Sequence, residues 1–237
     1  MLEPLTITVA LRPLSFTSLS TEPLARDESI PEDISQLARH PKRRHEQQFS
    51  RGLRRQLLAD YLAIDPAQLE FVQHIYGKPY LKNHVHIEFS QSHCTDQFIL
   101  VVNKQSIAVG VDIEPKNRSL RLLALASRIL APNELIQFEQ AIDQQGFLLR
   151  IWTIKEAVLK ATGLGIRVNL NELESGYMFK SSGLNVIGQV HHRKIGVWNY
   201  QCFETIAHYY TIAWQDTKQP LIDCSKVIFK CLDFHMK

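Results

Sequence analysis

Ile151-Trp152-Thr153-Ile154-Lys155-Glu156-Ala157-Val158-Leu159-Lys160 reads as one amphipathic helix carrying a carboxylate and two lysines. At about a hundred degrees per residue, Ile151, Ile154, Val158 and Thr162 gather on one side, the stripe expected to face a core. Glu156 and Lys160 lie opposite, four apart, and serve equally as a surface pair worth about 0.3–0.5 kcal/mol or as working groups. Lys155 breaks the sorting because it falls between Val158 and Leu159, among the apolar positions. An ammonium there must snorkel, find a partner or meet an anionic ligand. Gly163-Leu164-Gly165 ends the helix, which should span 146–162.

Around this helix the chain is ordinary in bulk. Its 237 residues suffice for one large domain or two small ones with a real core. With 45% apolar and 22% charged residues it reads as a soluble globular protein. A net charge of +3 does not call for nucleic acid. Charge is concentrated locally, however: Arg39 to Arg55 holds seven Lys/Arg and a single acid, Glu46, a patch suited to phosphates or an acidic partner. Cys94, Cys202, Cys224 and Cys231 show neither C-x-x-C nor metal-ligand spacing, so they are expected as small core residues. The chain has no signal-type leader and no apolar run near eighteen residues, which predicts a cytoplasmic protein with no membrane span.

Upstream of the helix, Leu5–Leu11 reads as a strand, and the polar, proline-punctuated residues 18–45 as short helices and loop. Phe49, Leu53, Leu57 and Tyr61 recur at steps of four, predicting a helix to Leu62 with its exit at Asp65-Pro66. Arg51 and Arg55 share another face of it, read as a solvated basic flank or as ligand-gripping cations. Leu69–Gln73 reads as a strand, Gly77-Lys78-Pro79 as a turn, and Ile87–Phe89, Phe98–Val102 and Ile107–Ile113 as strands. Helices are expected near 120–130 and 133–142. Strands are expected near 184–190, 194–203, 206–214 and 226–232. This order predicts an α+β fold of two similar halves, 1–106 and 107–237, rather than one βαβ sheet.

Gly110-Val111-Asp112-Ile113-Glu114 carries the second chemical signal. On a strand, Val111 and Ile113 share one face, while Gly110, Asp112 and Glu114 share the other. The two carboxylates then project side by side, about 7 Å apart at the backbone. They either face solvent at a strand end or hold a cation between them. Few hard oxygen ligands suit Mg²⁺, with Mn²⁺ equally compatible. Gly110 would let a ligand approach that face. Ser92-His93 does not make a nucleophile and base, because adjacent strand residues point apart. A hydroxyl and an imidazole there can hydrogen-bond a phosphate or nucleotide, and Lys78 can add a point charge. Cys94 as a nucleophile, and His84-x-His86 or His191-His192 as metal pairs, lack supporting residues.

Together and in order, these pieces resemble a 4′-phosphopantetheinyl transferase of the Sfp type. Gly77-Lys78-Pro79 matches the family's Gly-Lys-Pro element. Phe89-Ser90-Gln91-Ser92-His93-Cys94 matches its Phe-Asn-x-Ser-His-Ser, with Ser90 and Cys94 departing from it. Gly110–Glu114 matches Gly-(Val/Ile)-Asp-x-Glu, and Trp152–Lys160 matches Trp-x-x-Lys-Glu-(Ala/Ser)-x-x-Lys. Arg51-Gly52-Leu53-Arg54-Arg55 resembles the basic helix preceding them. Ala131-Pro132-Asn133-Glu134 resembles a further element, though an Asn cap with a first-turn acid explains it as well.

The resemblance implies a pseudo-dimer of two α+β halves with the active site in the cleft between them. It implies transfer of the phosphopantetheine arm of coenzyme A to a serine of an apo carrier protein (acyl, peptidyl or aryl), releasing adenosine 3′,5′-bisphosphate. By analogy Asp112, Glu114 and Glu156 would hold Mg²⁺, and Glu156 would take the serine proton. Lys160 and Lys155 would neutralise the diphosphate, with Lys155 at the wall of the CoA cleft. Arg51, Lys78, Pro79, Ser92 and His93 would bind the nucleotide side. The Arg39–Arg55 run would dock the carrier, and the protein would act as a monomer. Two rival readings use the same residues: a metal-dependent phosphohydrolase, and a non-catalytic CoA- or carrier-binding module.

Overall fold

Strand β-alternation around Asp112 sets the architecture. The structure, a computed structural model, describes residues 5–14, 39–176, 185–215 and 228–231. Helices and strands are mixed along them, in two four-stranded sheets and one short hairpin. The first sheet contains β1 (Thr6–Pro13), β4 (Glu88–His93), β5 (Gln97–Asn103) and β10 (Ile228–Cys231), in the order β10-β1-β5-β4. The second contains β6 (Val109–Pro115), β7 (Asn185–His192), β8 (Gly196–Glu204) and β9 (His208–Trp214), in the order β6-β9-β8-β7. Only β1 and β10 pair parallel among the described strands. The hairpin joins β2 (Phe71–Gln73) to β3 (Pro79–Leu81), a short strand that starts at the last residue of the expected Gly77-Lys78-Pro79 turn.

Apolar side chains from both sheets meet in one core: Ile7 and Val9, Ile99 and Val101, Val109, Val111 and Ile113, Ile212 and Trp214. The outer face of the first sheet packs on helix α1 (Pro41–Leu62) through Leu57, Leu58, Phe89, Phe98 and Leu100. The second sheet packs on helices α2 (Leu122–Ile129), α3 (Pro132–Gln140) and α4 (Gln144–Thr162). No helix among the described residues is long and apolar enough to cross a membrane.

Local chemistry explains the helix ends. Pro41 starts α1, where a missing N–H costs nothing. The helix ends at Ala63 in the left-handed region, before Asp65, which instead caps a short 3₁₀ turn. Asp143 caps α4 by accepting from the N–H of Gly146 at 2.8 Å, and Gly163 closes it at φ 71°. Helix α3 starts from Ala131, so Asn133 is not its cap. The reading of 18–45 lies largely outside the described residues, as do Cys224 and the ends of the 184–190 and 226–232 strands.

Helix α4 packs hard against β6, and Gly110 is the reason it can. A Cβ at Gly110 would lie 2.0 Å from the carbonyl oxygen of Ala157 and 2.5 Å from the amide nitrogen of Ala161. The sequence reading reserved Gly110 for ligand approach; the backbone of α4 occupies that space instead. This contact brings the catalytic-looking face of α4 over the carboxylate face of β6.

Candidate active site

From that contact Lys160 extends its Nζ to Oδ1 of Asp112 at 2.7 Å and to Oγ of Ser92 at 2.8 Å. Ser92 in turn donates to Asp112 Oδ1 at 2.9 Å. Strand β4 runs beside β6, and Ser90 Oγ accepts from the N–H of Val111 at 3.2 Å. Ser90 and Ser92 therefore point toward β6 and α4. Ser92-His93 forms the last two residues of β4, at the strand end as expected, and the imidazole takes the other face.

Lys160 and Glu156 line a cavity of about 630 Å³. Its walls come from both sides of residue 106: Arg51 and Arg54 of α1, Phe71, Lys78, Pro79 and Gln91 on one side, Glu156, Leu159, Lys160 and Gly163 on the other. Of the residues expected at the site, Arg51, Lys78, Pro79, Glu156 and Lys160 thus share one cavity. Ser92 and Asp112 adjoin it through Lys160. Burial, and then the nearby Lys160 charge, hold the His93 imidazole below the ordinary range.

Three carboxyls crowd together electrostatically. Burial pushes Glu156 above the usual carboxylate range, and the Asp112 charge adds to that. Glu114 is raised by the same two causes, against the pull of Arg118, with which it forms an ion pair. Oδ2 of Asp112 is buried without a hydrogen-bond partner, which is costly for a carboxylate oxygen. A divalent cation would satisfy that oxygen and relieve the repulsion. Hard oxygen donors of this kind suit Mg²⁺ or Mn²⁺, so the residues fit. Among the described residues the three carboxylates do not close into a tight ligand group. Lys160 occupies Asp112 Oδ1, and Arg118 holds Glu114.

Lys155 corrects the expectation. Its side chain is fully buried and does not line the cavity. Nζ donates to Glu134 Oε2 at 2.5 Å, to the carbonyl of Ile129 at 2.7 Å and to that of Leu170 at 2.9 Å. Glu134 also accepts from the N–H of Ala131 and from Ser175 N–H and Oγ–H. The pair is a satisfied structural knot tying α4 to α3 and to the chain after α4. Burial lowers the Lys155 ammonium and Glu134 opposes that.

Lys78 lines the cavity with its stem, and its ammonium is engaged by Glu88 at 3.1 Å and by the Ala161 carbonyl at 2.9 Å. It thereby caps the last turn of α4. Arg55 is buried, donating to the carbonyls of Pro66 and Leu69, so the basic flank is not wholly solvated. Arg54 was missed: it is buried at the cavity wall, its guanidinium 4.2 Å from the Phe71 ring centroid. The helical wheel that singled out Lys155 would have found it, since Arg54 lies between Leu57 and Leu58 on the apolar side. Gln91 was also missed, and no signal in the sequence marks it.

A family model described as the 4′-phosphopantetheinyl transferase superfamily matches residues 108–212. The chain is 32% identical over 185 residues to the 4′-phosphopantetheinyl transferase HetI of Nostoc, covering 69% of this chain and 77% of that one. It is 27% identical over 134 residues to a 4′-phosphopantetheinyl transferase of Bacillus subtilis, covering 56% and 58%. Among solved structures, Thermotoga maritima holo-[acyl-carrier-protein] synthase aligns at 20% identity with a TM-score of 0.38, covering 47% of this chain and 66% of that one.

Proposed function

Because this chain belongs to the 4′-phosphopantetheinyl transferase superfamily, we propose that it transfers the phosphopantetheine arm of coenzyme A to a serine of an apo carrier protein. The serine hydroxyl attacks the phosphorus that carries the pantetheine arm. The bond to the second phosphate breaks, and adenosine 3′,5′-bisphosphate leaves. The observation that carries this reading is Lys160 Nζ, shared by Asp112 and Ser92 at the edge of a cavity that also holds Glu156.

Each residue then has a task. Glu156, raised by burial, is suited to take the serine proton, directly or through water. Lys160 neutralises charge on the diphosphate as the leaving group departs. Arg51, Lys78, Pro79, Ser92 and His93 hold the nucleotide side, with Arg54 stiffening the same wall. Asp112, Glu114 and Glu156 would hold Mg²⁺, which supplies further charge neutralisation when bound. Positioning and electrostatics supply most of the acceleration in this chemistry, and the protein needs no covalent intermediate.

In this reading the two halves, 1–106 and 107–237, form a pseudo-dimer in one chain, with the cavity as the cleft between them. Exposed Arg43 and Arg44 on α1 face an acidic carrier, and the chain acts as a monomer.

Intact-mass spectrometry of several apo carriers, incubated with this protein, CoA and Mg²⁺, tests the proposal. A gain of one phosphopantetheine that a chelator or Glu156→Ala abolishes is expected. CoA cleaved without a carrier would point to a hydrolase. CoA bound intact, with no carrier modified, would point to a binding module.

A further inference from the structure

Away from the cavity, three residues that no part of the proposed transfer uses converge at one end of the sheets. Cys94 and Asp96 belong to the turn between β4 and β5, and His208 opens β9 in the other sheet. Asp96 Oδ1 lies 2.9 Å from His208 Nε2 and 3.3 Å from Cys94 Sγ. All three ligand atoms fall within 4.8 Å of one another. Sequence spacing does not reveal this cluster, because 112 residues separate Asp96 from His208.

We propose that Cys94, Asp96 and His208 form a binding site for a zinc-type divalent transition metal, clamping the β4–β5 turn to the start of β9. The donor set is a thiol, an imidazole and a carboxylate, the mixture that selects Zn²⁺ and its neighbours over Mg²⁺. Metal–ligand bonds of about 2.0–2.3 Å at tetrahedral angles set ligand atoms about 3.4–3.6 Å apart. The two separations from Asp96 Oδ1, 2.9 Å to His208 Nε2 and 3.3 Å to Cys94 Sγ, are shorter by a few tenths of an ångström, so these two hydrogen bonds need only open slightly to admit the ion.

The supporting backbone is already fixed. The Cys94 N–H donates to the Gln97 carbonyl at 2.9 Å, and the Leu14 N–H to the Asp96 carbonyl at 2.7 Å. His208 and Thr205 exchange hydrogen bonds on the other side. The His208 side chain is 9% exposed and that of Asp96 58%, leaving a wet side where water would supply the fourth ligand. Binding would release the Cys94 proton to solvent, shift the His208 ring proton from Nε2 to Nδ1, and replace the Asp96–His208 hydrogen bond with two metal bonds. Burial keeps that thiol protonated at neutral pH, pushed up to about 11, so it takes a metal to make the thiolate.

The test uses the full chain, stripped with chelator and titrated with Co²⁺. One equivalent should produce the near-ultraviolet absorption of a cobalt–thiolate bond, which Zn²⁺ displaces and excess Mg²⁺ does not. Cys94→Ser should lose the band and Cys202→Ser should keep it. Zn²⁺ should also raise the unfolding midpoint of the native chain and leave Cys94→Ser and His208→Ala unmoved. No band at all, or a band that survives Cys94→Ser, overturns the proposal. Sulfur absorption does not report on the carboxylates near Lys160, so either reading can fail without the other.

Discussion

Lys160 Nζ on α4 sits 2.7 Å from Asp112 Oδ1 on β6, so the cation of the Trp152–Lys160 motif and the carboxylate of the Gly110–Glu114 motif are joined directly. The tight seam at Gly110 sets this distance, and the side chains of α4 and β6 reach each other only because of it.

Removing Lys160, or the neighbouring Glu156 of the same helix, should cripple transfer. Lys160→Ala is expected to lower the single-turnover rate of carrier modification by about 10²–10³-fold, the usual loss for one electrostatic stabiliser. Glu156→Gln should cost about 10²–10⁴-fold if the carboxylate is the base. Rates within a few-fold of the native chain for both variants would remove them from the mechanism.

Gly110→Ala forces a methyl group onto the backbone of α4 at Ala157 and Ala161. Backbone cannot rotate away as a side chain can, so about 1–3 kcal/mol or more of stability should be lost. Urea denaturation at neutral pH measures this, and an unchanged midpoint would show that the seam has slack.

Glu134→Gln leaves the Lys155 ammonium buried without its counter-charge, at an expected cost of about 3–5 kcal/mol. Pairing it with Lys155→Met should recover much of the loss. A double variant as unstable as the sum of the two singles would argue against a coupled pair.

His93 makes stability depend on pH. Burial and the Lys160 charge hold its folded value below the ordinary 6.5. The unfolded chain therefore binds this proton first, so the contribution is complete above about 6.5 and is lost as acid carries the group through its folded value. Glu114 and Glu156, raised in the fold, act in the opposite direction as pH falls. The difference between native chain and His93→Asn isolates the histidine: melting curves of the two should diverge below pH about 6.5, and parallel curves would contradict it.

Much of this was legible in the sequence because period and spacing are local properties. Helix α4, the alternation on β6 and α1 from Phe49 onward follow from side-chain periodicity alone, whereas the first turns of α1, from Pro41, lie in the polar stretch expected as short helices and loop. Where buried polar groups would find partners was not legible. The wheel placed Lys155 among apolar residues but could not tell a ligand from Glu134, which lies 21 residues away. Arg55 looked like a surface cation because its partners are backbone carbonyls, which no residue identity announces. The approach of Cys94 and Asp96 to His208 depends on how two sheets stack, and sequence spacing carries no record of it.

Strand β10 gives the fold one more property. It pairs with β1, so a segment from the far end of the chain completes the sheet to which the first strand belongs, at Thr6↔Ile228 through Val9↔Cys231. A cut near residue 106 would therefore leave the first half with an open strand edge and the second with a stray strand. The two halves are interlocked rather than modular, and proteolysis in the loop at 104–106 should yield a nicked complex that stays together, not two independent fragments.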